Sequence, residues 1–262
     1  MDPSFQKAFL RDFKRRDTGP VLALFGKHPA WDDHMDDLGL ATASLQLCKR
    51  LLYIQGIAAN AARQQSLPGD QAVDLFPYRH FLLWFRDREM ILLRMVESED
   101  GRGRGFFPLV GAVHFQSASP EGALARLLGP LRNFVDDCRP LRARDEVRDL
   151  HRHAQANVQS EIRGTANDQP RQESPTREEL EALHAATTGG TFVRTKIPVT
   201  RYDLAKSFAA LTGAIQNQPV LLAQRDADHG ITVCLGQPER SDFWFLRCEG
   251  GDASSASRDS SS

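Results

Sequence analysis

The sequence lacks most of the features that would commit it to a membrane, a nucleic acid or an oxidising compartment. Nowhere in its 262 residues does an apolar run approach the roughly 20 residues of a membrane span. Neither sign of charge is in excess: Lys plus Arg number 33 and Asp plus Glu 34, a net charge of -1, so no global pull toward nucleic acid or anionic lipid follows. The four cysteines, Cys48, Cys138, Cys234 and Cys248, lie far apart and make neither a CxxC pair nor a zinc-finger spacing. Each falls in an apolar stretch, which predicts buried free thiols in a reducing compartment. The opening MDPSFQKAFLRDFKRRD is interrupted by charge and lacks the apolar centre of a secretory signal, so the cytoplasm is the expected address. There is no Walker pattern, no GxSxG elbow, no HExxH and no internal repeat, which removes the commonest signatures of nucleotide binding and hydrolysis.

What is present, 41% apolar and 26% charged residues, is the composition of an ordinary globular chain able to bury a sizeable core. The stretch 21–36, VLALFGKHPAWDDHMD, organises it. Val21 to Phe25 is too short for a helix and Gly26 closes it, so it reads as a buried strand. The turn after it holds Lys27, His28, Trp31, Asp32, Asp33, His34 and Asp36, a density of ionisable groups typical of functional loops at the end of a core strand.

The remaining pattern alternates helices and strands. An amphipathic helix is expected before residue 19, from Phe5, Phe9, Leu10 and Phe13. A long helix is expected over 38–64, with Leu47, Leu51, Ile54, Ala58 and Ala61 on one stripe and Leu45, Cys48 and Leu52 widening it. Residues 81–85 and 90–96 read as a hairpin, and 106–115 as a third strand with Pro108 limited to an edge or bulge. Ser119-Pro120 starts a helix that Gly129-Pro130 should kink or split. Residues 141–163 carry a thin apolar stripe, which places them on the outside with His151 and His153 facing solvent. The polar segment 164–175 reads as a linker, and Thr176 with Glu179 as a capping box for a short helix. A strand near 191–197, a helix from Thr200, strands at 220–223, 231–235 and 243–246, and a disordered tail over 249–262 complete the reading. The domain organisation expected is thus 1–163, a linker, a smaller block over 176–248, and a tail.

Two local chemistries compete at the turn. His28, Asp32, Asp33, His34 and Asp36 supply imidazole and carboxylate groups that a divalent ion can use to activate water, the basis of a metal-dependent hydrolase reading. Against it, ligands adjacent in sequence converge only if the turn folds tightly, and an Asp capping the next helix with His34 bonded across the turn is the simpler role. Trp31 is either an exposed anchor for a partner or a lid on the core. The loop 97–105, ESEDGRGRG, adds Arg102 and Arg104, two forked donors between glycines. An ion pair between that loop and Asp32 or Asp33 would account for both polar clusters at once.

The residues FGKHPAWDDH resemble the GKLPxxGDF signature of the TagF (ImpM) proteins associated with bacterial type VI secretion. Gly26, Lys27, Pro29 and Asp33 match, while His28, Asp32 and His34 stand where the signature has leucine, glycine and an aromatic. The stretch from Ser98 to Val110 is similar to the family's GRxFPL segment: Phe107, Pro108 and Leu109 align, with the Gly-Arg pair further upstream. The longer GKHPxWxDHxxDxGL form resembles a divergent branch. What the resemblance implies is a three-layer α/β/α sandwich with a mixed, partly antiparallel central sheet. It further implies a non-enzymatic, cytoplasmic accessory or regulator that restrains assembly of the secretion machine through a forkhead-associated scaffold or baseplate protein. Under that reading Lys27, His28, Trp31, Asp32, Asp33, His34, Asp36, Arg102 and Arg104 form a partner-binding surface, with no catalytic residues, no metal or other cofactor, no nucleic acid and no membrane.

Overall fold

The computed structural model describes residues 19–58, 61, 77–86, 89–116, 120–163, 192–198, 204–214, 220–226, 230–236, 243 and 245–247. The expected N-terminal helix, the 164–175 linker, the capping box at Thr176, the 249–262 tail and Cys248 lie outside the described residues.

Strand β1 spans Val21–Gly26, and α1 (Ala43–Cys48) runs on into a π-helical stretch, Lys49–Ile57. Then come β2 (Arg79–Arg86), β3 (Glu89–Glu97) and β4 (Pro108–Gln116). Helices α2 (Pro120–Cys138) and α3 (Arg144–Arg163) lead to β5 (Phe192–Pro198), α4 (Leu204–Ala214), β6 (Val220–Arg225) and β7 (Gly230–Gly236). The seven strands form a sheet in the order β1-β4-β3-β2-β6-β7-β5.

The α/β class holds, but among the described residues the sheet is not mixed: all six pairings are antiparallel. Short connections reverse the chain between β2 and β3, β3 and β4, and β6 and β7, whereas parallel neighbours need a crossover of a dozen residues or more. The C-terminal strands do not form a sheet of their own, because β6 lies against β2 with Leu83 opposite Leu222.

Alternation along each strand divides the core between the two faces of the sheet. Leu22 and Leu24 join Leu83, Leu92 and Val113 on one face, packed with Leu127, Leu131 and Val135 of α2, Val147 and Val158 of α3, and Phe208 of α4. Ala23 and Phe25 join Leu82, Trp84, Ile91 and Leu93 on the other, under Leu45, Cys48, Leu52 and Ile57. Strands buried on both faces read as continuous apolar runs, which is why β1 and β3 were legible. Gly111 of β4 is the point of closest approach of α2, where a Cβ would meet Val135 Cγ2 at 2.5 Å.

Several expectations about elements change. The helix begins at Ala43 rather than 38, since Leu38 is held by backbone bonds to Leu24 and Thr42 caps the first turn by accepting from the Leu45 N–H. Its π-helical continuation has a wider turn than 3.6 residues, so Ile54, placed on the buried stripe by α-helical spacing, is 54% exposed. The Gly129-Pro130 pair does not split α2, which runs unbroken from 120 to 138. Proline forgoes one hydrogen bond there, and Leu127, Leu131 and Phe134 buried on the sheet hold the helix across it. Phe243, Phe245 and Leu246 make 3₁₀ turns rather than a strand. Pro108 is the first residue of β4, where a missing N–H is tolerated.

The outer edge of β1 is closed by side chains. Gln155 of α3 accepts from the Leu22 N–H at 2.6 Å and donates to the Pro20 carbonyl at 2.8 Å, while His151 Nε2 donates to the Leu22 carbonyl at 3.1 Å. His151 is therefore not a solvent-facing residue as its charged neighbours suggested. It satisfies backbone groups that would otherwise invite strand addition. Among the described residues no helix is long and apolar enough to cross a membrane, and Cys48, Cys138 and Cys234 are buried free thiols.

Candidate functional site

The turn after β1 starts at Gly26, whose φ of 121° lies where only glycine rests easily. A Cβ there would stand 2.2 Å from the Pro108 carbonyl oxygen, so glycine lets the end of β1 press against the start of β4. Lys27 N–H donates to that carbonyl at 3.2 Å, Met35 N–H donates to Gly26 at 2.9 Å, and Lys27 and His34 form an isolated bridge. The intervening residues leave the sheet as a tight excursion.

Inside the excursion, His28 is fully buried. Its Nδ1 accepts from the Ala30 N–H at 3.1 Å, which leaves Nε2 to donate to the Cys138 carbonyl at 3.0 Å. Burial, with Arg142 nearby and the Cys138 carbonyl opposing, holds its pKa below the usual histidine value. Trp31, 4% exposed, meets the His28 ring edge-on at 5.4 Å and has the Arg144 guanidinium 5.4 Å above it. Its role is the lid on the core, not an exposed anchor.

Lys27 carries the link between the two polar corners. Its buried ammonium lies 2.6 Å from Asp33 Oδ1 and 2.6 Å from Asp100 Oδ2. Asp100 is 1% exposed: Oδ1 accepts from the Arg102 and Arg104 N–H groups, each at 3.0 Å, and Oδ2 also accepts from Arg104 Nε at 2.8 Å. Burial alone would raise the Asp100 pKa, but the bonds from Lys27 and the two backbone amides outweigh it and hold the carboxyl far below the usual carboxylate range. Arg104 then reaches across to the Asp32 carbonyl at 2.7 Å and Asp33 Oδ1 at 3.4 Å, and Gly101 N–H donates to the Trp31 carbonyl at 2.6 Å. The ion pair expected between loop 97–105 and the turn is present, through Asp33.

Asp100 itself was missed, although an Asp-Gly pair heading a glycine-rich loop is the signal of a side chain that gathers the next backbone amides. Phe106 was missed as well: at 47% exposure it is one of two large apolar side chains so open among the described residues. His34 is partly covered by Phe107 and Tyr53, with ring centroids at 5.1 and 5.8 Å, and burial and Lys27 lower its pKa against the pull of Asp33.

The expected surface therefore separates into two groups. Asp32, Asp33, His34, Asp36, Arg102 and Arg104 are exposed. Lys27, His28 and Trp31 are buried and can only shape the surface from beneath. Asp36 faces Arg148 of α3 at 3.1 Å rather than capping a helix. The ligand set of the hydrolase reading does not assemble, because both His28 nitrogens are committed to backbone groups. Among the described residues no three His, Cys, Asp or Glu side chains are placed to hold a metal ion together.

No family model matches the chain, and no curated protein matches it significantly. Among solved structures it is similar to PA0076 from Pseudomonas aeruginosa PAO1, at 17% identity and a TM-score of 0.47, with 88% of this chain and 96% of that one covered.

Proposed function

We propose that this chain acts by protein contact, as a non-enzymatic accessory or regulator of a bacterial type VI secretion apparatus that restrains its assembly in the cytoplasm. The resemblance of residues 26–40 and 98–110 to the TagF pattern supports the secretion assignment. One observation carries the contact reading: two loops some seventy positions apart are locked into one corner through Lys27 and Asp100. A buried ion pair is costly to desolvate, and this one ties the turn after β1 to the loop before β4.

The corner leaves Asp33, Arg102 and Arg104 exposed, and Phe106, two positions after Arg104, is open as well. Charges of both signs set orientation and selectivity, and the aromatic ring supplies the anchoring area that buried Trp31 does not. The partner is a protein of the apparatus, a forkhead-associated scaffold or a baseplate component.

The test is affinity purification of the tagged protein from a host carrying the secretion genes, with identification of the recovered proteins. Phe106→Asp with Arg102→Glu should abolish recovery of an apparatus component while leaving the melting temperature unchanged, since both side chains are exposed. Undiminished recovery by that variant rejects the corner; a wild-type eluate without apparatus proteins rejects the secretion role.

A further inference from the structure

The excursion between Lys27 and His34 is held to the rest of the molecule from three sides. Gly101 N–H, in the loop before β4, donates to the Trp31 carbonyl at 2.6 Å, and Arg144 Nε of α3 donates to the Ala30 carbonyl at 3.1 Å. The third hold is the His28 ring, whose Nε2 donates to the Cys138 carbonyl at the end of α2. The same ring organises the turn from within. Its Nδ1 accepts from the Ala30 N–H at 3.1 Å, while the His28 carbonyl accepts from the Trp31 N–H at 3.0 Å.

Only the neutral imidazole with its proton on Nε2 can do both. A second proton on Nδ1 turns that acceptor into a donor facing the Ala30 N–H, and it places a charge on a ring with no exposed surface. Burial disfavours that imidazolium most, the Cys138 carbonyl favours it, and Arg142 in the connection to α3 opposes it. The end of α2 also brings the Cys138 thiol, 3.6 Å from Nε2, which burial keeps protonated by raising its pKa to about 12. Helix α3 adds a further cation, Arg144 over the Trp31 ring. Lys27 of the turn is a cation too, and its ammonium occupies Asp33 and, from the loop before β4, Asp100. Among the described residues no carboxylate pairs with His28. Closure of the turn carries a second cost: Trp31 is buried although its indole N–H has no hydrogen-bond partner among the described residues. Water satisfies that group once the lid lifts.

We infer that His28 is a proton-operated clasp, closed while the ring is neutral and releasing residues 28–33 with the Trp31 lid when the ring takes up a proton. Opening withdraws the Trp31 carbonyl from Gly101 and parts Asp33 from Arg104, so the contact corner comes apart. That consequence rests on the corner being the partner surface, whereas the opening itself does not. In the open turn the histidine has its ordinary pKa near 6.5, and in the closed turn a lower one. The closed form is therefore fully favoured above about pH 6.5 and loses ground as the pH falls below it.

Hydrogen exchange of the full chain at about pH 7.5 and about pH 5, expressed as protection factors, tests the clasp. Protection of the Ala30 and Trp31 amides should fall by roughly tenfold or more at the lower pH, while the amides of β3 keep theirs. His28→Asn should abolish the difference, because the asparagine Oδ1 stands where Nδ1 does and accepts from the Ala30 N–H at either pH. His34→Asn should keep it, although His34 lies in the same turn and also has a lowered pKa. In the wild type the His28 ring resonance should titrate with the same midpoint as the loss of protection, a readout that stands even where His28→Asn leaves the turn open. Equal protection at both pH values, a fall shared equally by β3, a step that survives in His28→Asn, or a midpoint that does not follow the His28 ring would each overturn the clasp. Affinity purification at the same two pH values separates clasp from corner. Recovery of an apparatus component that drops at the lower pH in the wild type but not in His28→Asn supports both. A pH-dependent fall in protection with no apparatus component recovered at either pH supports the clasp and rejects the corner.

Discussion

Replacing Lys27 with methionine tests the joint on which the corner depends. The side chains are similar in length, so the change removes the ammonium and little volume. Asp100 then keeps Arg104 Nε and two backbone N–H groups but loses the buried Lys27 ammonium. Removing one partner of a buried pair costs about 3–5 kcal/mol, and the surviving bonds place this case near the lower end, about 3 kcal/mol. Against a total stability of about 5–15 kcal/mol that is a large fraction. For a chain of this size it corresponds to a fall of roughly 6–12 °C in melting temperature. Urea unfolding followed by circular dichroism measures it directly, and Asp100→Asn with the double variant completes a cycle. Coupling of at least about 1 kcal/mol is expected, because the two groups are in contact. A Lys27→Met protein within about 0.5 kcal/mol of wild type, or a cycle without coupling, would show that the pair does not hold the loops together. The same network has a pH signature: a carboxylate held far below its unfolded value near 3.9 adds stability above that value and loses it as pH falls further. Acid unfolding below about pH 4 should therefore be shallower in Asp100→Asn than in the wild type.

Other perturbations follow from the same contacts. Gly26→Ala must clear a 2.2 Å approach to the Pro108 carbonyl at a φ of 121°, and should cost at least about 3 kcal/mol in urea unfolding. His114 bridges Thr42 Oγ1 at 2.9 Å and Glu89 Oε1 at 2.8 Å, and Ser44 also donates to that oxygen. His114→Leu leaves buried Glu89 without its imidazole hydrogen bond and should destabilise by about 1–3 kcal/mol, with partial recovery in Glu89→Gln/His114→Leu. Burial lowers the His28 pKa, so the unfolded chain takes up a proton that the folded one refuses as pH drops below about 6.5. Stability present above that pH is lost below it, and the slope between pH 6.5 and 5 measured by thermal melts should be smaller in His28→Gln.

Local chemistry in the chain determined much of this protein. Apolar runs bounded by glycine, proline and charge placed β1 to β4, β6 and β7 within a few residues, because strands buried on both faces need such runs. The polar turn after β1, the arginine loop before β4 and their ion pair were legible as residues with complementary charge. The failures share a cause. Trp31, Lys27 and His28 sit in a hydrophilic stretch and read as surface, yet the excursion folds back so that Arg144, Cys138 and Asp100, each far away in sequence, cover them. His151 lies among charges on α3 and is drawn inward only because the edge of β1 passes beside it. Ile54 faces outward because its turn is π-helical. Side-chain identity fixes what a residue can bond to, while burial and partner are settled by segments that meet only once the sheet has formed.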